Sequence, residues 1–181
     1  MMSDRLPLID PATASPAVRA AFAQLPVVNV FRAMAAAETL YPAFAGFLGT
    51  LFQEMELDPR TERLAVLQVA RLSDCHYVWR QNVVTARSLG IPDERIEALE
   101  RGEIDAGCFT AEHTAALRFV QECVHDVEVG EAAFAAAARE LSRRAIAELI
   151  YVTGAYMMIC RFVRTGRVPL DERPGPSPYA G

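Results

Sequence analysis

The chain contains no lysine, so all 18 of its Lys and Arg residues are arginine. That excludes mechanisms built on a lysine Schiff base or a phosphate-loop lysine. Codon usage in a GC-rich genome accounts for the absence itself, although the two side chains are not interchangeable. Histidine is scarce, and His76, His113 and His125 show no ligand spacing with the cysteines. Cys75, Cys108, Cys123 and Cys160 stand apart from one another rather than in close pairs. Neither a zinc site nor a disulfide framework is expected from such spacing. There is no basic stripe interleaved with aromatics, and the net charge is −5. A phosphate backbone is repelled by that charge, so nucleic acid is not an expected partner. The start MMSDRLPLID lacks a basic segment leading into an apolar run, and no segment offers 18 uninterrupted apolar residues. These features argue against a signal peptide and a membrane partner, and a cytoplasmic location with reduced thiols is expected.

What the chain does have is apolar and alanine-rich. Its 181 residues are 52% hydrophobic and include the runs AMAAAE and AAFAAAARE. Alanine gives up no side-chain entropy in a helix. The length suits one core better than two. The expectation is an all-α, single-domain helical bundle spanning residues 17–170, with an N-terminal arm over 1–16 that carries Pro7, Pro11 and Pro16 and packs on a neighbouring subunit. A Pro- and Gly-rich flexible tail is expected over 171–181.

The punctuation places the helices. A short one is expected near 17–25, another near 29–37, and a third near 40–55, with apolar faces built from Phe31, Met34, Phe44, Phe47, Leu48 and Leu51. Asp58 as cap and Pro59 at the first helical position start a helix to Leu72. Ser73-Asp74 then interrupts the pattern and caps a helix over 75–89, closed by Gly90 and followed by Pro92. Further helices are expected over 93–101 ending at Gly102, from a Thr110 cap to His125, over 131–141, and from a Ser142 cap to Gly166.

Cys75 therefore falls in the first turn of a helix, where unsatisfied N–H groups favour a thiolate and the adjacent Asp74 opposes it. The alternative is a small packed residue without chemistry. A sulfenic acid formed on Cys75 needs an external thiol unless the fold brings Cys108, Cys123 or Cys160 close. His76 turns about 100° away from its neighbour on a helix and reads as a surface residue.

The segment ERLAVLQVARLSDCHYVWRQNVVTARSLGI, residues 62–91, resembles the alkylhydroperoxidase D and carboxymuconolactone decarboxylase superfamily. That core reads as a Glu, an apolar helix, a small turn, Cys-x-x-Cys and a His. In register with Cys75, Val78 stands where the second Cys would be and Asn82 where the His would be. Arg63 stands in place of the Glu, with Glu62 beside it. The resemblance extends to Asn29-x-Phe31-Arg32, to Tyr77-x-Trp79, and to the Tyr-rich apolar helix within 148–170, where Met157 replaces a frequent Asn. Together these segments cover most of residues 25–171.

The resemblance implies an alkylhydroperoxidase D-like fold that assembles as a homo-oligomer, a trimer or hexamer. It implies chemistry that uses no metal and no organic cofactor. By register Cys75, Glu62, Arg63 and Asn82 are the candidate catalytic residues. Asn29, Arg32, Tyr77, Trp79, Arg80 and Tyr156 are candidates for substrate binding, with Arg161 beside them. Each has a simpler reading. Asn29 can cap its helix, Arg63 can form an exposed ion pair with Glu62 or Asp58, and the aromatics can serve packing alone. Asn82 orients a substrate but cannot titrate as His does, whereas Arg63 in a pocket is an anion clamp.

Three functions fit. The first is a non-redox enzyme that decarboxylates or isomerises a small organic acid, lactone or enolisable ring. The second is a hydroperoxidase in which Cys75 works alone, and the third is a binding or assembly protein without turnover.

Overall fold

Ten consecutive positions in the middle of one helix, from Thr61 to Ala70, are buried. A helix covered on every side sits at the centre of a bundle. In the computed structural model, which describes residues 5–53 and 55–176, that helix is α4 (Pro59–Leu72). It packs on α5 (His76–Ser88), α7 (Ala111–His125) and α9 (Arg143–Gly166). The remaining helices are α1 (Pro16–Phe22), α2 (Asn29–Met34), α3 (Tyr41–Gln53), α6 (Asp93–Arg101) and α8 (Glu131–Glu140). Among the described residues there are nine helices and no strand.

The start of α4 follows its sequence. Asp58 Oδ1 accepts from the backbone N–H of Arg60 at 2.8 Å and of Thr61 at 3.3 Å, with Pro59 at the first helical position. Thr110 and Ser142 cap α7 and α9 in the same way, while Gly90 and Gly102 end α5 and α6 in the left-handed region at φ 74° and 81°. The expected bundle is therefore present helix by helix, with α1, α2 and α3 shorter than anticipated.

Two local expectations are corrected. Ser73-Asp74 does not cap α5; it terminates α4. Asp74 takes φ 47°, its N–H reaches Arg71 O at 3.0 Å, and the N–H of Cys75 reaches Ala70 O at 2.8 Å. This is a Schellman closure with a non-glycine residue in the left-handed position, a conformation Asp tolerates better than most. Cys75 itself is then the first residue outside α5. Likewise Val28, not Asn29, precedes α2 as its cap, and Asn29 makes no cap hydrogen bond.

The segment before α1 packs within the chain. Ile9 N donates to Arg32 O at 3.1 Å, Arg32 Nε returns a bond to Ile9 O at 3.1 Å, and Arg5 N donates to Gly166 O at 3.1 Å. Leu6 crosses Gly166 so closely that a Cβ there would lie 2.8 Å from Leu6 Cδ1. Beyond Leu170, residues 171–176 do not trail free as the sequence suggested but fold back over α2 and α5 through Asp171, Glu172 and Gly175. Residues 177–181 lie outside the described residues.

The apolar interior forms two clusters. The larger joins all the helices except α6 around Val18, Leu48, Val66, Leu149 and Val152. The smaller joins α4, α5, α6 and α7 around Leu64, Leu67, Leu99 and Leu117, with Trp79 on the border of both. Helix α9 is long and apolar enough to cross a membrane by length and composition alone, but half of its apolar window is buried in this interior. Leu149, in the second turn of α9, is 0% exposed. Leu149→Ala is expected to destabilise the fold by about 2–5 kcal/mol, read as a lower urea midpoint with unchanged denaturant dependence.

Candidate functional site

A cavity of about 80 Å³ opens between α2, α4, α5 and α9, with Phe52 of α3 at one end and Pro26, Val28, Gly175 and Pro176 forming the outer wall. Helix α5 contributes most of its lining through Tyr77, Val78, Gln81, Asn82 and Thr85. These positions repeat at three- and four-residue spacing, which places them on one face. Helix α9 adds Tyr156 and Ile159, α2 adds Val30 and Phe31, and α4 adds Arg63.

Arg63 is 1% exposed and Glu62 0%. Arg63 Nη2 lies 3.2 Å from Glu62 Oε2. The exposed ion pair is thereby replaced by a buried one, and Asp58 is engaged in capping instead. Arg63 Nη1 donates to Asn82 Oδ1 and approaches the Tyr156 hydroxyl at 3.4 Å. Asn82 Nδ2 donates to Val78 O at 2.7 Å, which fixes the amide so that its oxygen faces the guanidinium. Phe52 stacks under the Arg63 guanidinium at 5.9 Å from the ring centre. Burial raises the Tyr156 hydroxyl above the ordinary tyrosine range, and Arg63 beside it works against that rise.

The outer wall hangs on one carboxylate. Asp171 Oδ1 accepts from Asn29 N at 2.8 Å, and Oδ2 accepts from Gln81 Nε2 at 2.7 Å and from the Tyr77 hydroxyl. The Tyr77 oxygen in turn accepts from Val30 N at 3.0 Å. Burial, and then Asp171, hold the Tyr77 hydroxyl protonated far above its usual range. Gly175 N donates to Gln81 Oε1 at 2.8 Å, and a Cβ on Gly175 would lie 2.8 Å from Val28 Cγ1, so only glycine permits that close approach.

Not all the candidates converge. Arg63, Asn82, Tyr77 and Tyr156 line the cavity. Glu62 stands behind Arg63. Asn29 and Arg32 are structural: Asn29 Nδ2 donates to Pro169 O at 3.3 Å, and Arg32 Nη1 donates to Asn29 Oδ1 at 3.3 Å. Arg80 holds Glu172 O at 3.2 Å, Trp79 packs between the two apolar clusters, and Arg161 is exposed, bonded to Met157 O at 3.0 Å. Cys75 is 2% exposed and lies off the cavity wall. The neighbouring Cys160 thiol lowers the Cys75 pKa, with Arg164 assisting and burial and Asp74 opposing. The same contact and burial push Cys160 up. Thr85 and Gln81 escaped the sequence reading although they share the helical face of Val78 and Tyr77. Asp171 carried no signal, because it lies in a segment of loop composition. Among the described residues no group of His, Cys, Asp and Glu is arranged to hold a metal.

Residues 38–122 match the carboxymuconolactone decarboxylase family. In that segment the chain is similar to the carboxymuconolactone decarboxylase family, and its fold is similar to that of alkylhydroperoxidase D-like proteins. Its fold is similar to that of an uncharacterized peroxidase-related protein from Ralstonia eutropha JMP134 with an alkylhydroperoxidase AhpD core, at TM-score 0.80 and 17% identity over 93% of this chain and 92% of that one. A peroxidase-related protein from Silicibacter sp. TM1040 gives TM-score 0.76 and 19% identity over 94% of each chain. The debrominase Bmp8, as a cysteine-to-alanine variant in complex with 2,3,4-tribromopyrrole, gives TM-score 0.74 and 16% identity over 95% of this chain and 94% of that one. No curated protein matches significantly. The motif positions stay together: Arg63, Val78 and Asn82 all face the cavity, and Cys75 sits one turn below Val78.

Asp171→Ala is expected to cost about 1–3 kcal/mol, the penalty of leaving buried donors unsatisfied. Hydrogen exchange should accelerate at the amides of Asn29 and Gly175 while the centre of α4 keeps its protection.

Proposed function

We propose that the protein is a cofactor-free enzyme that decarboxylates a small ring acid or lactone acid capable of forming an enolate. The observation that carries this reading is the composition of the cavity wall. Its ionisable groups are Arg63, Tyr77 and Tyr156, and none of these accepts a proton near neutral pH. An isomerisation that begins by abstracting a proton needs a base at that wall. A decarboxylation does not. The bond to the carboxylate breaks, carbon dioxide leaves, and the electron pair passes to the carbonyl oxygen as an enolate.

The Arg63 and Tyr156 donors stand 3.4 Å apart and favour an oxyanion between them. Glu62 keeps the guanidinium pair neutral overall, so the site favours charge that develops during the reaction over charge brought in by any anion. Tyr156 then protonates the carbanion carbon and recovers its proton from water. A volume of about 80 Å³ suits one small ring. That a protein of this fold holds a tribrominated pyrrole supports the same class. Tyr156→Phe should lower kcat by roughly 10²–10⁴-fold, measured as carbon dioxide release from a panel of unsaturated lactone acids and pyrrole carboxylates. Full turnover in that variant would remove Tyr156 from the mechanism. If the wild type neither turns over nor binds any member of the panel by calorimetry, the decarboxylase reading is lost.

The enzyme works in the cytoplasm as a homo-oligomer, a trimer or hexamer. Supporting this is the apolar groove of Phe44, Phe47, Ile150, Tyr151 and Met158, in which Tyr151 is 62% exposed. Contiguous apolar surface of this kind marks an interaction site. Tyr151→Glu should therefore reduce the assembly to smaller species in light scattering, whereas a wild-type monomer would exclude the assembly.

A further inference from the structure

The outer wall of the cavity is built unlike the rest of it. Helices α2, α4, α5 and α9 form the other walls and are fixed by the apolar core. Residues 171–176 close the outer side, and their sequence, Asp-Glu-Arg-Pro-Gly-Pro, brings no large apolar side chain to that core. Gly175 is half-buried and Pro176 exposed although both line the cavity, so a single thickness of chain separates it from solvent.

Hydrogen bonds attach this segment at both ends. Asp171 holds Asn29 N, Gln81 and Tyr77 at one end, and Arg80 Nη2 donates to Glu172 O at 3.2 Å. At the other end Gly175 N donates to Gln81 Oε1 at 2.8 Å. The Gln81 amide therefore clips the segment twice, and Tyr77, Arg80 and Gln81 all stand on α5. Hydrogen bonds that water can replace contribute little each, so a segment held by them opens far more readily than the bundle unfolds. Pro174 and Pro176 restrict the released chain, which lowers the entropy lost when it closes again.

We propose that residues 171–176 are a gating strap: it lifts when the latch of Asp171 and Gln81 opens, a ring ligand enters behind it, and Gly175 and Pro176 then set the largest ring that the cavity accepts. The proposal rests on the cavity being a ligand site, as the decarboxylase reading does, but concerns entry and size selection and not the bond that breaks. Closed, the strap keeps water from the Arg63 and Tyr156 donors, where an oxyanion is held best. Gly175 decides how tightly it seats. A Cβ there would lie 2.8 Å from Val28 Cγ1 and 3.5 Å from Pro26 Cβ, so a side chain at this position props the strap outward while leaving Asp171 and Gln81 unaltered.

The test reads entry without turnover, so it fails separately from the decarboxylase reading. Thr85 lines the cavity and is 3% exposed. Thr85→Cys places a thiol there at nearly unchanged volume, and its alkylation in the full chain by iodoacetamide or the bulkier N-phenylmaleimide is followed by peptide mass mapping. Behind a gating strap the N-phenylmaleimide rate levels off as reagent is raised, because opening becomes limiting. In that background Asp171→Ala, and separately Gly175→Ala, should raise the rate by roughly 5–100-fold, more for N-phenylmaleimide than for iodoacetamide. Cys75 and Cys160, buried away from the cavity wall, should keep their rates. The two variants act at opposite ends of the strap, so Gly175→Ala decides the matter if Asp171→Ala loosens the whole bundle. An unchanged rate in either variant overturns the proposal. So does a rise in Gly175→Ala that Cys75 and Cys160 share, which marks general loosening, and so does equal acceleration of both reagents, which removes the size selection.

Discussion

The Glu62–Arg63 pair on α4 is the constraint around which the site is organised. Taking two charges out of water costs several kcal/mol for each ion, and their attraction offsets this only when the geometry is good and the remaining donors and acceptors are met. Helix α4 cannot leave the bundle centre, because its apolar positions bury on three neighbours. The neighbours must therefore bring polar groups to it. Asn82 on α5 and Tyr156 on α9 do so, and both helices are thereby held at the distance that leaves a cavity between them. The other buried polar residues of α4 are served by α7: Thr61 Oγ1 donates to Glu112 at 2.6 Å, and Gln68 Nε2 donates to Gln121 Oε1 at 3.5 Å.

A second consequence follows from how α4 ends. Because Asp74 closes the helix in the left-handed region, the chain reverses within two residues and α5 starts without a side-chain cap. The backbone of Val78, in the first turn of α5, faces the Cys75 thiol and lowers its pKa. The tight closure puts the thiol inside, against α9, where Cys160 and not solvent is its neighbour.

The helices were legible in the sequence because their signals are local. Asp58-Pro59, Thr110, Ser142, Gly90 and Gly102 act within one turn of where they stand. The motif register was also legible, and it brought Arg63, Asn82 and Tyr77 to one cavity. What the sequence hid was contact across the chain. Asn29 and Arg32 looked like rim residues but direct their hydrogen bonds to the N-terminal segment and to Pro169, because α2 is clamped from both ends of the chain. Asp171 was hidden for the opposite reason, since a carboxylate in a loop becomes structural only when three donors converge on it. No periodicity or spacing encodes the burial of Cys75 and Cys160 in one apolar cluster.

The two departures from the family motif on α4 and α5 amount to one exchange. By register the superfamily places a Glu where Arg63 stands and a His where Asn82 stands, a pair suited to passing a proton. Here those positions still touch, but as guanidinium and amide, with Arg63 donating to the Asn82 oxygen. Either change alone would be costly. Arg63 opposite a histidine would face a ring that gains charge of the same sign on protonation, and Asn82 opposite a glutamate would leave a second carboxylate buried beside Glu62. Made together they keep the hydrogen bond, and Glu62 supplies the counter-charge. The substitution removes the Glu–His relay from that wall and leaves Arg63 beside the Tyr156 hydroxyl. A wall so altered is better suited to stabilising an oxyanion than to relaying a proton.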